Sequence, residues 1–157
     1  MVIKCKKLAV IVLCLVMVIF ITGCGQANNT AEMVESSEAH NEEVLKLFIN
    51  DTEIPVVWEN NDSVNELMDE ASKGDITVSM SMYGDWEQVG SLGKSYAAND
   101  SQMTADNGDI MLYCGNKIVV FYGSNSWNYT KLGKMDLSEH EVTELLSNGA
   151  VTLTLGY

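Results

Sequence analysis

The sequence predicts an all-β domain, an antiparallel β-barrel with two short helices. The first observation is a tight hairpin around Gly115-Asn116 whose two strands carry apolar side chains on both faces. The second is a set of about eight short strand patterns and two short helix patterns along residues 44–157. The third is that strands and helices do not alternate regularly, as a parallel sheet would require.

Residues 1–23 have the pattern of a lipoprotein signal peptide. Lys4, Lys6 and Lys7 precede an apolar run from Leu8 to Ile21, which is short for a membrane span. The run ends in Ile21-Thr22-Gly23-Cys24, which resembles the lipobox of bacterial lipoproteins. This resemblance implies a lipid on Cys24, cleavage just before it, and attachment to the outer, extracytoplasmic face of the cell membrane. An uncleaved amino-terminal anchor is the alternative.

The net charge of the mature chain disfavours two classes of partner. Cleavage before Cys24 would leave six lysines and all 22 acidic residues, a net charge of 6 − 22 = −16. A surface this acidic repels nucleic acid and anionic headgroups, so we expect membrane contact only through the lipid. Residues 24–43, which carry five glutamates and almost no large apolar side chain, are predicted to be a disordered tether.

Cysteine usage predicts that the domain has no internal disulfide. Cys5 and Cys14 lie in the signal peptide and Cys24 would carry the lipid, so Cys114 alone remains in the exported domain. Because Cys114 ends a predicted hairpin strand, we expect a buried, unreactive thiol.

The first half of the domain is predicted to contain a hairpin, a helix and then two strands joined by a turn. Pro55 in the second strand of the hairpin indicates an edge or a bulge. The helix is expected to begin at a capping box formed by Ser63 and Glu66 and to end at Gly74. The predicted strands in this half are 44–49, 54–58, 75–83 and 86–89.

The second half is organised around the central hairpin. A two-residue turn at Gly115-Asn116 would place Ile110, Leu112 and Cys114 on one face with Val119 and Phe121. The side chains expected on the other face are Met111, Tyr113, Ile118, Val120 and Tyr122.

Before the hairpin, residues 90–108 are small and polar, and we expect a long loop with one short strand around 95–97. After it, a polar loop at 123–128 leads to a strand at 129–132. A second helix follows, with a capping box at Ser138 and Glu141, and a last strand spans 151–155.

Three stretches of the chain resemble the bacterial cyclophilin-like domain family. They are GDIMLYCGNKIVVFYGSNSWNYTKLGK, MYGDWEQVGSLGKS and ELLSNGAVTLTL, and the resemblance covers essentially residues 44–157. It implies a small closed barrel with helices at its openings. Members occur alone, as lipoproteins or joined to flavodoxin-like modules, and the family implies no settled activity.

Several chemistries are disfavoured by the residues present. The arginine with which true cyclophilins hold the prolyl carbonyl is missing, because all nine basic residues are lysines, and lysine lacks a planar fork of donors. His40 and His140 cannot assemble a metal site with Cys114. Asp106 and Asp109 fall short of a calcium coordination set. We therefore expect no metal, no cofactor and no isomerase activity.

The most site-like stretch is the end of the central hairpin and the polar loop after it. An indole beside a carboxamide offers apolar contact and directional hydrogen bonds, which small-molecule sites commonly combine. The alternative is that Trp127 caps the barrel while Asn125 and Ser126 hydrogen-bond the loop backbone. The candidate ligand-binding residues are Tyr122, Asn125, Ser126, Trp127, Tyr129, Tyr83 and Trp86.

The sequence thus predicts a membrane-tethered domain that binds a small molecule or an extended peptide without catalysis. A neutral or cationic ligand is favoured by the negative charge. The alternatives are a peptidyl-prolyl isomerase and an accessory module for a redox or transport partner, such as a flavodoxin-like protein.

Overall fold

The computed structural model describes residues 44–157, which form eleven strands and two helices. The predicted signal peptide, Cys24 and the acidic tether lie outside the described residues. The elements in chain order are β1 Lys46–Ile49, β2 Thr52–Ile54, β3 Val56–Trp58, α1 Asp62–Ala71, β4 Ile76–Ser79, β5 Ser81–Tyr83, β6 Glu87–Ser91, β7 Ser101–Ala105, β8 Asp109–Tyr113, β9 Lys117–Phe121, β10 Asn125–Met135, α2 Glu139–Leu146 and β11 Thr152–Gly156.

The strands form two antiparallel sheets, which confirms the mostly-β prediction. The smaller sheet has the order β2-β1-β11-β4, and the larger has the order β3-β10-β8-β9-β6-β5, with β7 paired to β10. No pairing among the described strands closes either sheet, so the closed barrel stays a prediction.

The chain crosses between the sheets at two short interruptions. Pro55 separates β2 from β3, and Met80 separates β4 from β5, so each predicted single strand is divided between the two sheets. Pro55 cannot donate to a strand ladder, which explains the first break. The Met80 side chain is almost fully buried, which holds the second break against the core.

Apolar side chains lie on both faces of the central hairpin, as predicted, but the register differs by one residue. Ile110 pairs with Val120 and Leu112 with Ile118. These side chains face the main core, together with the smaller sheet and both helices. Met111 and Val119 belong to a second, smaller cluster on the opposite face.

The turn explains the shift in register. Tyr113 pairs with Lys117, so three residues, 114–116, form the turn, and Cys114 and Gly115 in it have positive φ, at 50° and 69°. A two-residue turn at Gly115-Asn116 would instead pair Cys114 with Lys117. Cys114 lies in this turn and is exposed. The prediction of a buried thiol beside Ile110 and Leu112 was wrong for this reason.

Helix α1 begins differently from the prediction. Its N-cap is Asn61, whose Oδ1 accepts from Val64 N at 3.0 Å. Ser63 Oγ instead donates to Ala97 O at 2.6 Å, and Glu66 Oε2 accepts from Ala97 N at 2.7 Å, so both side chains tie the helix to the polar stretch after β6. The capping box predicted for α2 at Ser138 and Glu141 is confirmed.

Two further boundaries differ from the prediction. The short strand expected around 95–97 lies instead at Ser101–Ala105. The polar loop expected at 123–128 is mostly the beginning of the long strand β10, Asn125–Met135. Three residues, Tyr122, Gly123 and Ser124, remain between β9 and β10.

Candidate functional site

Strand β10 changes partners halfway along, and this change creates the candidate site. Its first half pairs with β7, up to Tyr129 opposite Ser101. Its second half pairs with β8, beginning with Thr130 opposite Leu112. The outer face of β6, β8 and β9 therefore lies beside a two-stranded arm, and a pocket of about 470 Å³ opens between them. We call it the aromatic pocket; it is lined by Tyr83, Glu87, Val89, Tyr113, Lys117, Val119, Asn125, Trp127 and Tyr129.

One wall of the aromatic pocket is a packed group of rings. Tyr129 is buried and meets Tyr113 edge-to-face at 6.0 Å and Phe121 at 5.6 Å between ring centroids. Asn125 Nδ2 donates to the Tyr129 hydroxyl at 3.2 Å. Because the ring and the carboxamide hold each other, this wall is preorganised before any ligand arrives.

A buried carboxyl group lies in the pocket. Glu87 of β6 is only 5% exposed and lies between two cross-strand neighbours on the same face, Tyr83 of β5 and Phe121 of β9. Its Oε2 has no hydrogen-bond partner. Burial raises the pKa of this carboxyl above its ordinary value, while the nearby Asn125 side chain acts in the opposite direction. An unpartnered buried oxygen in a native fold calls for an explanation, and a ligand group that donates to this carboxyl would supply one.

The mouth of the pocket is formed by exposed side chains. Trp127 is 56% exposed and Tyr83 is 68% exposed. Lys117 is also exposed, and its Nζ lies 5.8 Å from the centroid of the Tyr113 ring. Two large aromatic rings that contribute little to the core are typical of a binding surface.

Four of the seven predicted site residues line this pocket: Tyr83, Asn125, Trp127 and Tyr129. The other three lie elsewhere. Ser126 Oγ shares a hydrogen bond with Thr104 Oγ1 at 2.7 Å. Tyr122 is buried in the main core, since it shares the inner face with Val120.

Trp86, the third of these, supports the pocket from the β5–β6 turn without lining it. Its carbonyl accepts from Tyr122 N at 2.9 Å and Gly123 N at 3.0 Å. A Cβ at position 123 would lie 2.6 Å from the Trp86 Cβ, so only glycine allows this approach.

Sequence reasoning missed the buried carboxyl and four other lining residues. A single glutamate in a strand forms no motif with other residues that would indicate a site. Its position directly after Trp86 and close to Val89 was a weak sign that this acid is buried among apolar side chains. The other missed residues are Val89, Tyr113, Lys117 and Val119. Correct register at the central hairpin would have placed Tyr113 and Val119 on the outer face.

A family model described as the cyclophilin-like family matches residues 47–156. The chain belongs to the cyclophilin-like family. Searches of curated proteins and of solved structures found no match. The family assignment confirms the resemblance read from the sequence and, together with the two antiparallel sheets, accounts for the β-rich architecture of this cyclophilin-like domain.

The structure of this cyclophilin-like domain also bears on whether it could hold a metal ion and whether a helix could span a membrane. Among residues 44–157, no three His, Cys, Asp or Glu side chains are grouped so that they could hold a metal ion. Asp109 is instead ion-paired to Lys131 at 3.2 Å and Lys134 at 3.5 Å. Neither helix in the described part of the chain has the length and apolar character needed to cross a bilayer.

Proposed function

We propose that this protein is a lipid-anchored, extracytoplasmic binding module whose aromatic pocket holds a small organic molecule without catalysis. The observation that carries the proposal is the exposed pair Tyr83 and Trp127 beside the buried, unpartnered oxygen of Glu87. Apolar surface with a few well-placed polar groups is the usual composition of a small-molecule site.

The size of the pocket favours a small molecule over an extended peptide. Its volume of about 470 Å³ lies within the range of roughly 300 to 1,000 Å³ that is typical of small-ligand sites. A longer peptide would have to leave most of its length outside this volume.

The absence of arginine from the whole chain supports a role without isomerase chemistry. The Lys117 ammonium at the pocket mouth supplies a charge but not the planar set of donors that true cyclophilins use. We therefore expect the rate of prolyl isomerisation in a test peptide to be unchanged by the purified domain.

A melting screen tests the binding proposal. The domain would be heated with neutral, cationic and anionic small metabolites, and Asn125→Ala would be compared with wild type. A ligand present at 100 times its dissociation constant stabilises by about 2.7 kcal/mol, which is readily detected. At least one compound should raise the melting temperature of wild type and have a smaller effect on Asn125→Ala. Failure of every compound to stabilise the wild type would contradict the proposal.

Membrane attachment through Cys24 needs a separate test, because the lipobox resemblance alone supports it. The full chain with Cys24→Ala should leave the membrane fraction or remain unprocessed, whereas wild type should enter the detergent phase and carry a lipid mass. Cys114→Ala is the matched control, since it removes the one other cysteine outside the predicted signal peptide. Detergent partition that is unchanged by Cys24→Ala, with no lipid on wild type, would contradict the anchor.

A further inference from the structure

The buried Glu87 carboxyl lacks a cation of its own. No ion pair to it is found among residues 44–157, although its Oε2 is buried and has no hydrogen-bond partner. The lysine that lines the pocket, Lys117, has its Nζ over the Tyr113 ring. A buried carboxyl with one unpartnered oxygen and no cation beside it is costly to the fold, and such groups are often found at binding sites.

Aromatic rings from three other strands line the same pocket as this carboxyl. Tyr83 is its direct cross-strand partner in β5, Tyr113 comes from β8, and Trp127 and Tyr129 come from β10. The faces of such rings attract cations, with indole the strongest of them. A carboxylate together with several rings provides both a hydrogen-bond acceptor and a favourable electrostatic lining for an ammonium group.

The charge of the whole domain acts in the same direction. Residues 44–157 carry six lysines and 17 acidic residues, a net charge of −11. The resulting field concentrates cations near the surface and repels anions.

We propose that the aromatic pocket selects a small organic cation, a protonated amine attached to an apolar group, whose N–H donates to the Glu87 carboxylate while its apolar part lies against Tyr83 and Trp127. This inference rests on the proposed function and specifies its ligand class. The Lys117 ammonium at the mouth could bind a polar or anionic group elsewhere on the same molecule.

A neutral ligand that accepts a hydrogen bond from protonated Glu87 is the competing arrangement, and pH separates the two. An amine needs the ionised carboxylate, so its affinity should rise as the pH is raised from 5 to 7. A neutral acceptor needs the protonated acid, so its affinity should fall. The charged or titratable groups that line the pocket with Glu87 are Tyr83, Tyr113, Tyr129 and Lys117, and the Tyr122 phenol interacts with Glu87 electrostatically from the core. The Cys114 side chain raises the pKa of Tyr113, and burial raises the pKa of Tyr129, so both phenols stay neutral between pH 5 and 7.

The experiment compares three probes of nearly equal shape: phenethylamine as the cation, 2-phenylethanol as the neutral analogue and 3-phenylpropionate as the anion. Dissociation constants for the domain would be measured by NMR titration at pH 5 and pH 7. At pH 7 we expect phenethylamine to bind about tenfold more tightly than 2-phenylethanol, as a hydrogen bond to a charged group implies. The anion should bind most weakly.

Glu87→Gln removes the charge and keeps the size of the side chain. It should weaken phenethylamine binding about tenfold, abolish its pH dependence and leave 2-phenylethanol unchanged. Glu59→Gln, which makes the same charge change at an exposed position outside the pocket, should alter neither. Should Glu87→Gln not fold, the opposite pH dependences of the two probes in wild type still decide the question.

The outcomes also separate this inference from the proposed function. Equal or tighter binding of 2-phenylethanol in the pocket, with no pH dependence for the amine, would overturn the cation inference and leave a binding module. Absence of binding by all three probes would contradict both.

Discussion

Replacing Trp127 with alanine separates a binding role of this residue from a structural one. Trp127 is 56% exposed, so folding removes about 44% of its surface from water. For an aromatic side chain that can bury up to about 250 Å², this is roughly 110 Å². At about 25 cal/mol per Å² the burial is worth at most about 2.7 kcal/mol. Partial burial in the unfolded chain lowers this by roughly 10–40%, and we expect Trp127→Ala to cost about 1.6 to 2.4 kcal/mol.

Phe121→Ala provides the structural comparison. Phe121 is fully buried and meets the Tyr129 ring at 5.6 Å, so its truncation should cost about 3 to 5 kcal/mol. Urea unfolding followed by far-ultraviolet circular dichroism measures both variants, with no dependence on tryptophan fluorescence. A loss of 3 kcal/mol or more for Trp127→Ala would show that the indole belongs to the core, and the reasoning about the pocket mouth would be refuted.

Three further predictions concern other parts of the fold. Because Cys114 lies exposed in the β8–β9 turn, a thiol reagent should label the folded domain as fast as the urea-unfolded chain; labelling only after unfolding would place the thiol back in the core. Gln88 is fully buried, and its Nε2 donates to Leu146 O and Gly149 O, both at 2.7 Å. Gln88→Leu leaves both carbonyls without this donor but also removes the buried, unpartnered Oε1 of Gln88, so it should cost about 1 to 3 kcal/mol in urea unfolding. A neutral effect would mean that water replaces both bonds. Burial raises the pKa of Glu87 in the folded state, so folding favours the protonated carboxyl. The contribution of Glu87 to stability is therefore fully present below its ordinary pKa of 4.5 and is lost as the pH rises through its pKa in the folded state. Glu87→Gln should therefore gain stability relative to wild type between pH 4.5 and 7, by about 1.4 kcal/mol for each unit of raised pKa; parallel stability curves would show that the carboxyl is not held in a desolvated site.

The sequence was sufficient to predict the mostly-β architecture, since alternating apolar residues and turn signals are local properties of a strand. The apolar character of both faces of the β8–β9 hairpin also followed directly. Its register did not, because Gly115-Asn116 has the composition of a two-residue turn, whereas the turn residues with positive φ are Cys114 and Gly115. The sequence does not indicate that a cysteine will adopt positive φ. An error of one residue in the strand register then moves every side chain of that strand to the other face.

Strand β7 was misplaced for a different reason. Of its five residues only Ala105 is buried, so its sequence carries no clear alternation. Its existence depends on pairing with the first half of β10, which the sequence alone does not reveal.

The candidate site was predictable in part. Asn125, Trp127 and Tyr129 are close together in the chain, and their side-chain chemistry alone indicated a surface for a ligand. Glu87 could not be found this way, because its burial depends on Tyr83 across the β5–β6 pair and on Asn125, 38 residues later in the chain. Burial that arises from distant segments requires the tertiary fold.

The most direct test of a ligand site in the aromatic pocket is to follow the three tryptophan indole N–H signals of the ¹⁵N-labelled domain during titration with phenethylamine and 2-phenylethanol. Trp127 lines the pocket, whereas Trp58 donates its Nε1–H to Leu45 O at 2.7 Å on another part of the domain. We predict that the Trp127 signal shifts with saturation in at least one titration, together with the backbone amides of Tyr83 and Asn125, while the Trp58 signal stays in place. Shifts that bypass Trp127, or that are absent with both probes, would contradict the assignment of this pocket as a ligand site.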